Sequence, residues 1–111
     1  MKTLKFKEEL CSDPLVVEYG TVSDHNNERN ILVNGIVTHL ISSLKESFYD
    51  GDKMKESAAA LIARFRNDCK LRYSRIEVDA QHVMTCEMKE LDEKTIFIFK
   101  YIKVMPDYVE E

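Results

Sequence analysis

Two adjacent segments lie near the C-terminus, at residues 82–91 and 94–104. If both are extended strands, successive side chains of each segment point alternately to the two faces of the sheet. The two-residue connection Asp92-Glu93 between them predicts a β-hairpin. Because partners across a strand pair share a face, this loop length gathers sulfur-containing and aromatic side chains on one side. A longer loop would place charged side chains opposite the phenylalanines, so the two-residue register is predicted. The face formed in this way contains Met84, Cys86, Met88, Phe97, Phe99 and Tyr101.

The other face of the hairpin is also mostly apolar, although Thr85, Glu87 and Lys89 interrupt it. An antiparallel sheet in a small domain normally exposes one polar face to water, so a second apolar face predicts an interface. We expect a homodimer, in which a two-fold axis lets one patch serve both copies, or an obligate heteromer that buries the same face. Cover by the N-terminal segment is the alternative. The candidate interface residues are Val83, Ile96, Ile98, Lys100, Ile102 and Val104.

A helix is predicted over residues 53–72, which carry one continuous apolar stripe at helical spacing. Asp52 is the expected N-cap residue of this helix. The members of the stripe are Met54, Ala58, Leu61, Ile62, Phe65 and Cys69.

The preceding segment, residues 28–49, has conflicting signals. Asn34-Gly35 between two β-branched runs is a strong hairpin signal, which leaves an Asn-Gly hairpin open for residues 28–41. Apolar residues nevertheless recur at helical spacing beyond the glycine, and a helix that ends near Gly51 is favoured for this reason. Its stripe contains Val33, Val37, Leu40, Leu44 and Phe48, broadened by Ile36 and Ile41.

The order of elements predicts an α+β fold in a single domain over residues 1–111. Residues 15–22 are rich in β-branched and aromatic side chains and predict a strand. Residues 1–14 contain Leu4, Phe6 and Leu10 and are interpreted either as a short strand followed by a turn, with a break at Asp13-Pro14, or as a loose N-terminal segment. Residues 106–111 are expected to be an acidic tail. The predicted architecture is an N-terminal strand, an αα-hairpin and a C-terminal antiparallel β-sheet packed on one face by the helices.

The composition is that of an ordinary globular protein, with 44% hydrophobic and 32% charged residues among 111. No apolar run approaches the roughly 20 residues of a membrane span, and the N-terminus lacks the apolar core of a secretory signal. A cytoplasmic protein without membrane contacts is therefore expected. Three cysteines at spacings that form no motif predict free thiols in a reducing compartment. The net charge of −4 is not that of a polycation that binds nucleic acid.

The sequence contains no recognisable catalytic arrangement. His25, His39 and His82 do not share a ligand spacing with the cysteines, so no metal site is expected. Cys69 and Cys86 are assigned to buried positions, which do not suit a reactive thiolate. With three glycines in the chain, no phosphate-binding loop is found. We therefore expect no catalytic residues and no cofactor.

A basic stretch over residues 64–75, which includes Tyr73, is the most distinctive charge feature. Cations beside an aromatic side chain can hold phosphates and stack a base, although a solvated helix face has the same composition. Its candidate anion-binding residues are Arg64, Arg66, Lys70, Arg72 and Arg75.

These patterns favour a small cytoplasmic protein, not an enzyme, that binds another protein chain through its apolar sheet face. Inhibitors, immunity proteins and assembly chaperones are typical of this class. Binding of nucleic acid or another anionic partner through residues 64–75 is the first alternative. A small-ligand pocket between the helices and the sheet is the second.

Overall fold

The computed structural model describes residues 2–18 and 29–110. In this part of the chain the helices are α1 (Arg29–Ser42) and α2 (Gly51–Asn67). The strands are β1 (Lys2–Leu10), β2 (Leu15–Glu18), β3 (Tyr73–Glu77), β4 (His82–Leu91) and β5 (Lys94–Glu110). Two helices packed on a five-stranded antiparallel sheet confirm the predicted α+β class. The last four residues of the strand predicted over 15–22 lie outside the described residues.

β5 is the central strand of the sheet and pairs with three others. Its residues 94–103 pair with β4 along one edge, and β4 in turn pairs with β3. Along the other edge, β5 pairs with β2 through residues 96–99 and with β1 through residues 102–110. The strand order is β1-β5-β4-β3, and β2 follows β1 along the same edge of β5.

The hairpin formed by β4 and β5 has the predicted two-residue connection. Leu91 pairs with Lys94, and Cys86 pairs with Phe99, which is the strand register predicted for a two-residue connection. The sulfur-containing and aromatic face lies against the helices. Met84, Cys86, Phe97, Phe99 and Tyr101 are at most 2% exposed, and they form one core cluster with the apolar stripes of α1 and α2.

The two chain ends form a two-stranded ribbon, in which β1 lies where the sequence left a short strand open and β5 continues to Glu110 within the predicted acidic tail. Residues 104–110 extend past the end of β4 and pair with residues 2–8. Backbone hydrogen bonds between β-strands do not depend on local sequence signals, and for this reason the pairing was not visible in either segment alone. The ribbon contributes to an elongated molecule, 52 × 30 × 22 Å.

Residues 29–42 form helix α1, which confirms the favoured prediction and excludes the Asn-Gly hairpin. The side chains of Val33, Ile36, Val37 and Leu40 are at most 5% exposed. Burial of this stripe stabilises the helix and outweighs the turn preference of Asn34-Gly35.

The first helix ends at Ser42 rather than near Gly51, because the following loop binds the connection between β1 and β2. The hydroxyl of Ser43 accepts a hydrogen bond of 2.8 Å from the Asp13 N–H, and the Lys45 N–H donates to the Cys11 carbonyl at 2.8 Å. Phe48 therefore lies in a loop with 87% of its surface exposed, and its assignment to the buried stripe is wrong.

Helix α2 begins at Gly51, and its N-cap is Asp50 rather than the predicted Asp52. The Asp50 carboxylate accepts a hydrogen bond of 3.1 Å from the Lys53 N–H. The helix ends at Asn67, so Cys69 lies beyond it and is exposed, contrary to the prediction. None of the described helices combines the length and the apolar character that a membrane crossing requires.

Candidate functional site

The sheet face opposite the helices, called here the open face, carries all six predicted interface residues. The strand register places Val83 beside Ile102, Thr85 beside Lys100 and Glu87 beside Ile98 on this face. Ile96, Ile98, Ile102 and Val104 are partly exposed. Val83 is buried, but it does not belong to the core cluster that the helices cover.

The N-terminal strands widen the open face instead of covering it. Phe6 pairs with Pro106, Leu10 with Ile102 and Val16 with Ile98, so all three side chains point to the same side as the isoleucines. Phe6 is 67% exposed, Leu10 41% and Val16 56%. The alternative in which the N-terminal segment covers this face is therefore wrong, and an apolar stripe runs along β5 and its neighbours β1 and β2.

One ion pair crosses the open face from one margin of the sheet to the other. Arg75 of β3 binds the Glu8 carboxylate of β1, although β4 and β5 lie between these strands. Val83 and Thr85 of β4, which lies between these two strands, are 5% and 3% exposed. The hydrogen bond to Glu8 raises the pKa of the Arg75 guanidinium above its usual value.

The remaining charges on the open face are of both signs. Glu87 and Lys89 lie on β4, with the Lys89 Nζ 4.0 Å from a Glu87 carboxylate oxygen. Lys100 lies on β5 in the middle of the isoleucines. Because cations and anions are interspersed, this face does not favour a uniformly charged partner.

The basic stretch does not form a single surface, because its arginines bind different parts of the chain. Arg64 donates to the Ser74 hydroxyl at 2.9 Å and to the Arg75 carbonyl at 3.1 Å, which ties α2 to β3. Arg72 donates to the carbonyls of Cys69 at 3.0 Å and Leu71 at 3.3 Å, and it pairs with Glu90 at 3.2 Å. Arg75 lies on the open face. Of the other two candidates, Arg66 is half-buried and Lys70 is exposed.

A polar cluster, formed by Cys11, Glu46, Asp79, His82 and Lys103, lies on the helix side of the sheet where the ribbon begins. His82 Nδ1 lies 2.8 Å from an Asp79 carboxylate oxygen, and His82 Nε2 lies 2.9 Å from Glu46 Oε2. Lys103 Nζ lies 3.0 Å from Glu46 Oε1. Cys11 Sγ lies 4.0 Å from the same carboxylate. The Tyr101 ring stacks on the His82 ring with 5.2 Å between centroids.

The electrostatics of this cluster follow from partial burial and close opposite charges. Burial, and then the negative charge of Glu46, raises the pKa of the Cys11 thiol to about 11. Burial also opposes ionisation of Glu46, but hydrogen bonds from Lys103 and His82 outweigh it and lower the pKa of this carboxyl group. In the same way the Gln81 N–H and the His82 ring outweigh burial and lower the pKa of Asp79. Both carboxylates are therefore stabilised as anions.

Sequence inspection missed this cluster because its members are far apart in the chain. Cys11 and Glu46 are 35 residues apart, and Glu46 and His82 are 36 apart. Of these residues, only Asp79 and His82 are close in the sequence, where the aspartate precedes the histidine by three positions. That pair alone does not predict a site.

A shallow groove lies at the tip of the β4–β5 hairpin. This position differs from that of the hypothesised ligand pocket, which is between the helices and the sheet. The lining of the groove is largely charged, which is not the mostly apolar character of a small-ligand site. The lining residues are Glu18, Glu90, Leu91, Asp92, Glu93, Lys94 and Thr95.

Comparisons of this chain with protein-family models, with curated proteins and with solved structures found no match. Among the described residues, the two sides of the sheet differ in character: the open face carries the apolar stripe, and the helix side carries the polar cluster.

Proposed function

We propose that the protein is a non-enzymatic protein-binding module whose contact surface is the open face. The observation that carries this proposal is the exposure of Phe6, Leu10 and Val16 beside the isoleucines of β5. Exposed apolar area of this kind costs free energy in water, and on soluble proteins large patches usually mark contact sites.

The size of the open face suits a protein partner. The apolar stripe runs from Phe6 to Ile96 over about ten residues of β5, or roughly 33 Å, and two strands make it roughly 10 Å wide. Its area of roughly 330 Å² is within the range of the largest apolar patches on monomers. β3 and β4 add the exposed side chains of Tyr73 and Lys89 at the margin of this stripe, whereas Val83 and Thr85 are already buried and add little contact area.

A second copy of the same chain is the occupant that the charges favour. Lys100 and Glu87 give the face one charge of each sign near its centre, and neither sign dominates along β3 and β4. A two-fold axis through this region would bring Lys100 of each copy toward Glu87 of the other while the apolar stripes meet. The dimer would then follow from one self-complementary surface.

Replacement of Phe6 by Glu tests this proposal without threatening the fold. Because Phe6 is already 67% exposed in one copy, the charge should leave the free energy of unfolding nearly unchanged while placing an unpaired carboxylate in the contact. We expect light scattering to report a dimer for the wild type and a monomer for Phe6→Glu at the same concentration.

Phe48→Glu is the matched control, because Phe48 is 87% exposed and lies in the α1–α2 loop. This variant should remain a dimer. A Phe6→Glu protein that is as dimeric as the wild type would place the contact elsewhere and refute the assignment to the open face.

A further inference from the structure

Three potential metal ligands from distant parts of the chain meet in the polar cluster. They are the thiol of Cys11 after β1, the carboxylate of Glu46 after α1 and the imidazole of His82 at the start of β4, and one ligand atom from each lies within 4.8 Å of the others. Cys11 is 3% exposed, and the side chains of His82 and Glu46 are 12% and 25% exposed. The site is thus largely shielded from water but open enough for an ion to enter.

Asp79 orients the imidazole as a metal site requires. Its carboxylate lies 2.8 Å from His82 Nδ1 and also accepts hydrogen bonds from the Gln81 and His82 N–H groups, at 2.8 and 2.9 Å. A carboxylate that holds the proton on one ring nitrogen leaves the lone pair of the other nitrogen for a metal ion. In His82 that nitrogen is Nε2, which faces Glu46 and not the solvent.

The contact between His82 Nε2 and Glu46 Oε2 brings two potential ligand atoms within 2.9 Å of each other. In the tautomer that keeps its proton on Nδ1 beside Asp79, Nε2 presents a lone pair to the carboxylate oxygen, and two acceptors repel. A metal ion between the two atoms replaces this repulsion by two coordination bonds and also ligates the neighbouring Cys11 sulfur.

We infer that Cys11, Glu46 and His82 form a zinc-binding site. One sulfur, one nitrogen and one oxygen ligand suit Zn²⁺ and not Ca²⁺ or Mg²⁺, which prefer oxygen ligands only. Tetrahedral zinc with bonds of about 2.0 to 2.3 Å separates its ligand atoms by about 3.3 to 3.7 Å. Glu46 Oε2 and His82 Nε2 therefore move apart by roughly 0.5 Å on binding. The thiol proton of Cys11 leaves to solvent, and the fourth position holds water.

Lys103 completes the charge balance of the site. It holds Glu46 Oε1 at 3.0 Å and leaves Oε2 for the ion. With zinc bound, the thiolate, the two carboxylates and the ammonium group bring the local charge to zero. The ion joins the β1–β2 connection, the α1–α2 loop and the start of β4. This role is independent of the open face, which is on the other side of the sheet.

Cobalt substitution tests the site directly, because a cysteine thiolate bound to Co²⁺ gives a charge-transfer absorption band in the near ultraviolet. The probe is Co²⁺ added to the chelator-treated chain in a Cys69→Ser background, which removes the exposed thiol. We expect the band to saturate at one Co²⁺ per chain and to disappear when Zn²⁺ is added. Asp79→Asn, which changes only the orienting carboxylate, should weaken the affinity by about 10- to 100-fold.

Three further variants separate the assigned ligands from adventitious binding. Cys11→Ser should abolish the band, whereas Cys86→Ala should keep it, because Cys86 lies in the core cluster. Glu46→Gln keeps the size of the side chain and should lower the affinity while circular dichroism reports an intact fold. No band in the parent protein, a band that survives Cys11→Ser, or an unchanged affinity in folded Glu46→Gln would each overturn the assignment.

Discussion

At the scale of single residues, the three cysteines show how strongly local environment controls thiol chemistry. Cys69 lies exposed beyond the end of α2, whereas Cys11 and Cys86 are 3% and 0% exposed. Burial and the charge of Glu46 raise the pKa of Cys11 to about 11, and burial raises the pKa of Cys86. The thiolate is the nucleophile, so both buried groups are protected by exclusion of the reagent and by protonation.

We therefore predict selective alkylation of Cys69 by iodoacetamide at pH 8 in the metal-free protein. Mass spectrometry of the native protein should find one adduct, located at Cys69, before any second adduct forms. In denaturant all three thiols should react at similar rates. Early modification of Cys11 in the native protein would contradict the burial of its sulfur.

Two side chains that were predicted to lie on buried helical stripes are exposed, because each lies just beyond the end of its helix. Phe48 and Cys69 continue the helical spacing of the stripes before them, but α1 ends at Ser42 and α2 ends at Asn67. Periodicity of apolar residues cannot locate the end of α1, because the loop that follows this helix is held by hydrogen bonds to Asp13 and Cys11. Those partners are about thirty residues away in the chain.

At the scale of elements, α1 contains a glycine at a position that does not need one. Gly35 has an ordinary negative φ, and a Cβ built on it would have no neighbouring atom within 4 Å. Glycine in a helix interior costs about 1 kcal/mol relative to alanine, because it loses more backbone entropy on folding.

We expect Gly35→Ala to raise the free energy of unfolding by about 1 kcal/mol, measured by urea denaturation. The direction of this change in the free energy of unfolding distinguishes a helix from a hairpin at this position. In an Asn-Gly hairpin the glycine would have a positive φ, and alanine would destabilise the protein. A loss of stability in Gly35→Ala would therefore contradict the helix over residues 29–42.

The β4–β5 hairpin was predictable because its register depends on local information. A two-residue connection and the sorting of Phe97 and Phe99 onto one face leave a single consistent pairing. The partners of β5 on its other edge were not predictable, because β1 and β2 lie far away in the chain and contain no signal for which strand they join.

At the scale of the whole molecule, the sheet separates two surfaces of different chemistry, and β5 contributes side chains to both. On the helix side, the topology brings Cys11, Glu46 and His82 together from three distant segments. On the open face, it aligns Phe6 and Val16 with the isoleucines that the sequence had already indicated as an interface. The apolar face was therefore visible in the sequence, whereas its full width and the polar cluster needed the fold.

Sedimentation equilibrium of the wild-type chain tests the central proposal, that the open face is buried in a homodimer, most directly. At tens of micromolar we predict a mass of twice the 13.0 kDa of one chain, with dissociation on dilution. The result does not depend on molecular shape, which matters for a molecule of 52 × 30 × 22 Å. A mass of 13.0 kDa that persists to several hundred micromolar would contradict the homodimer.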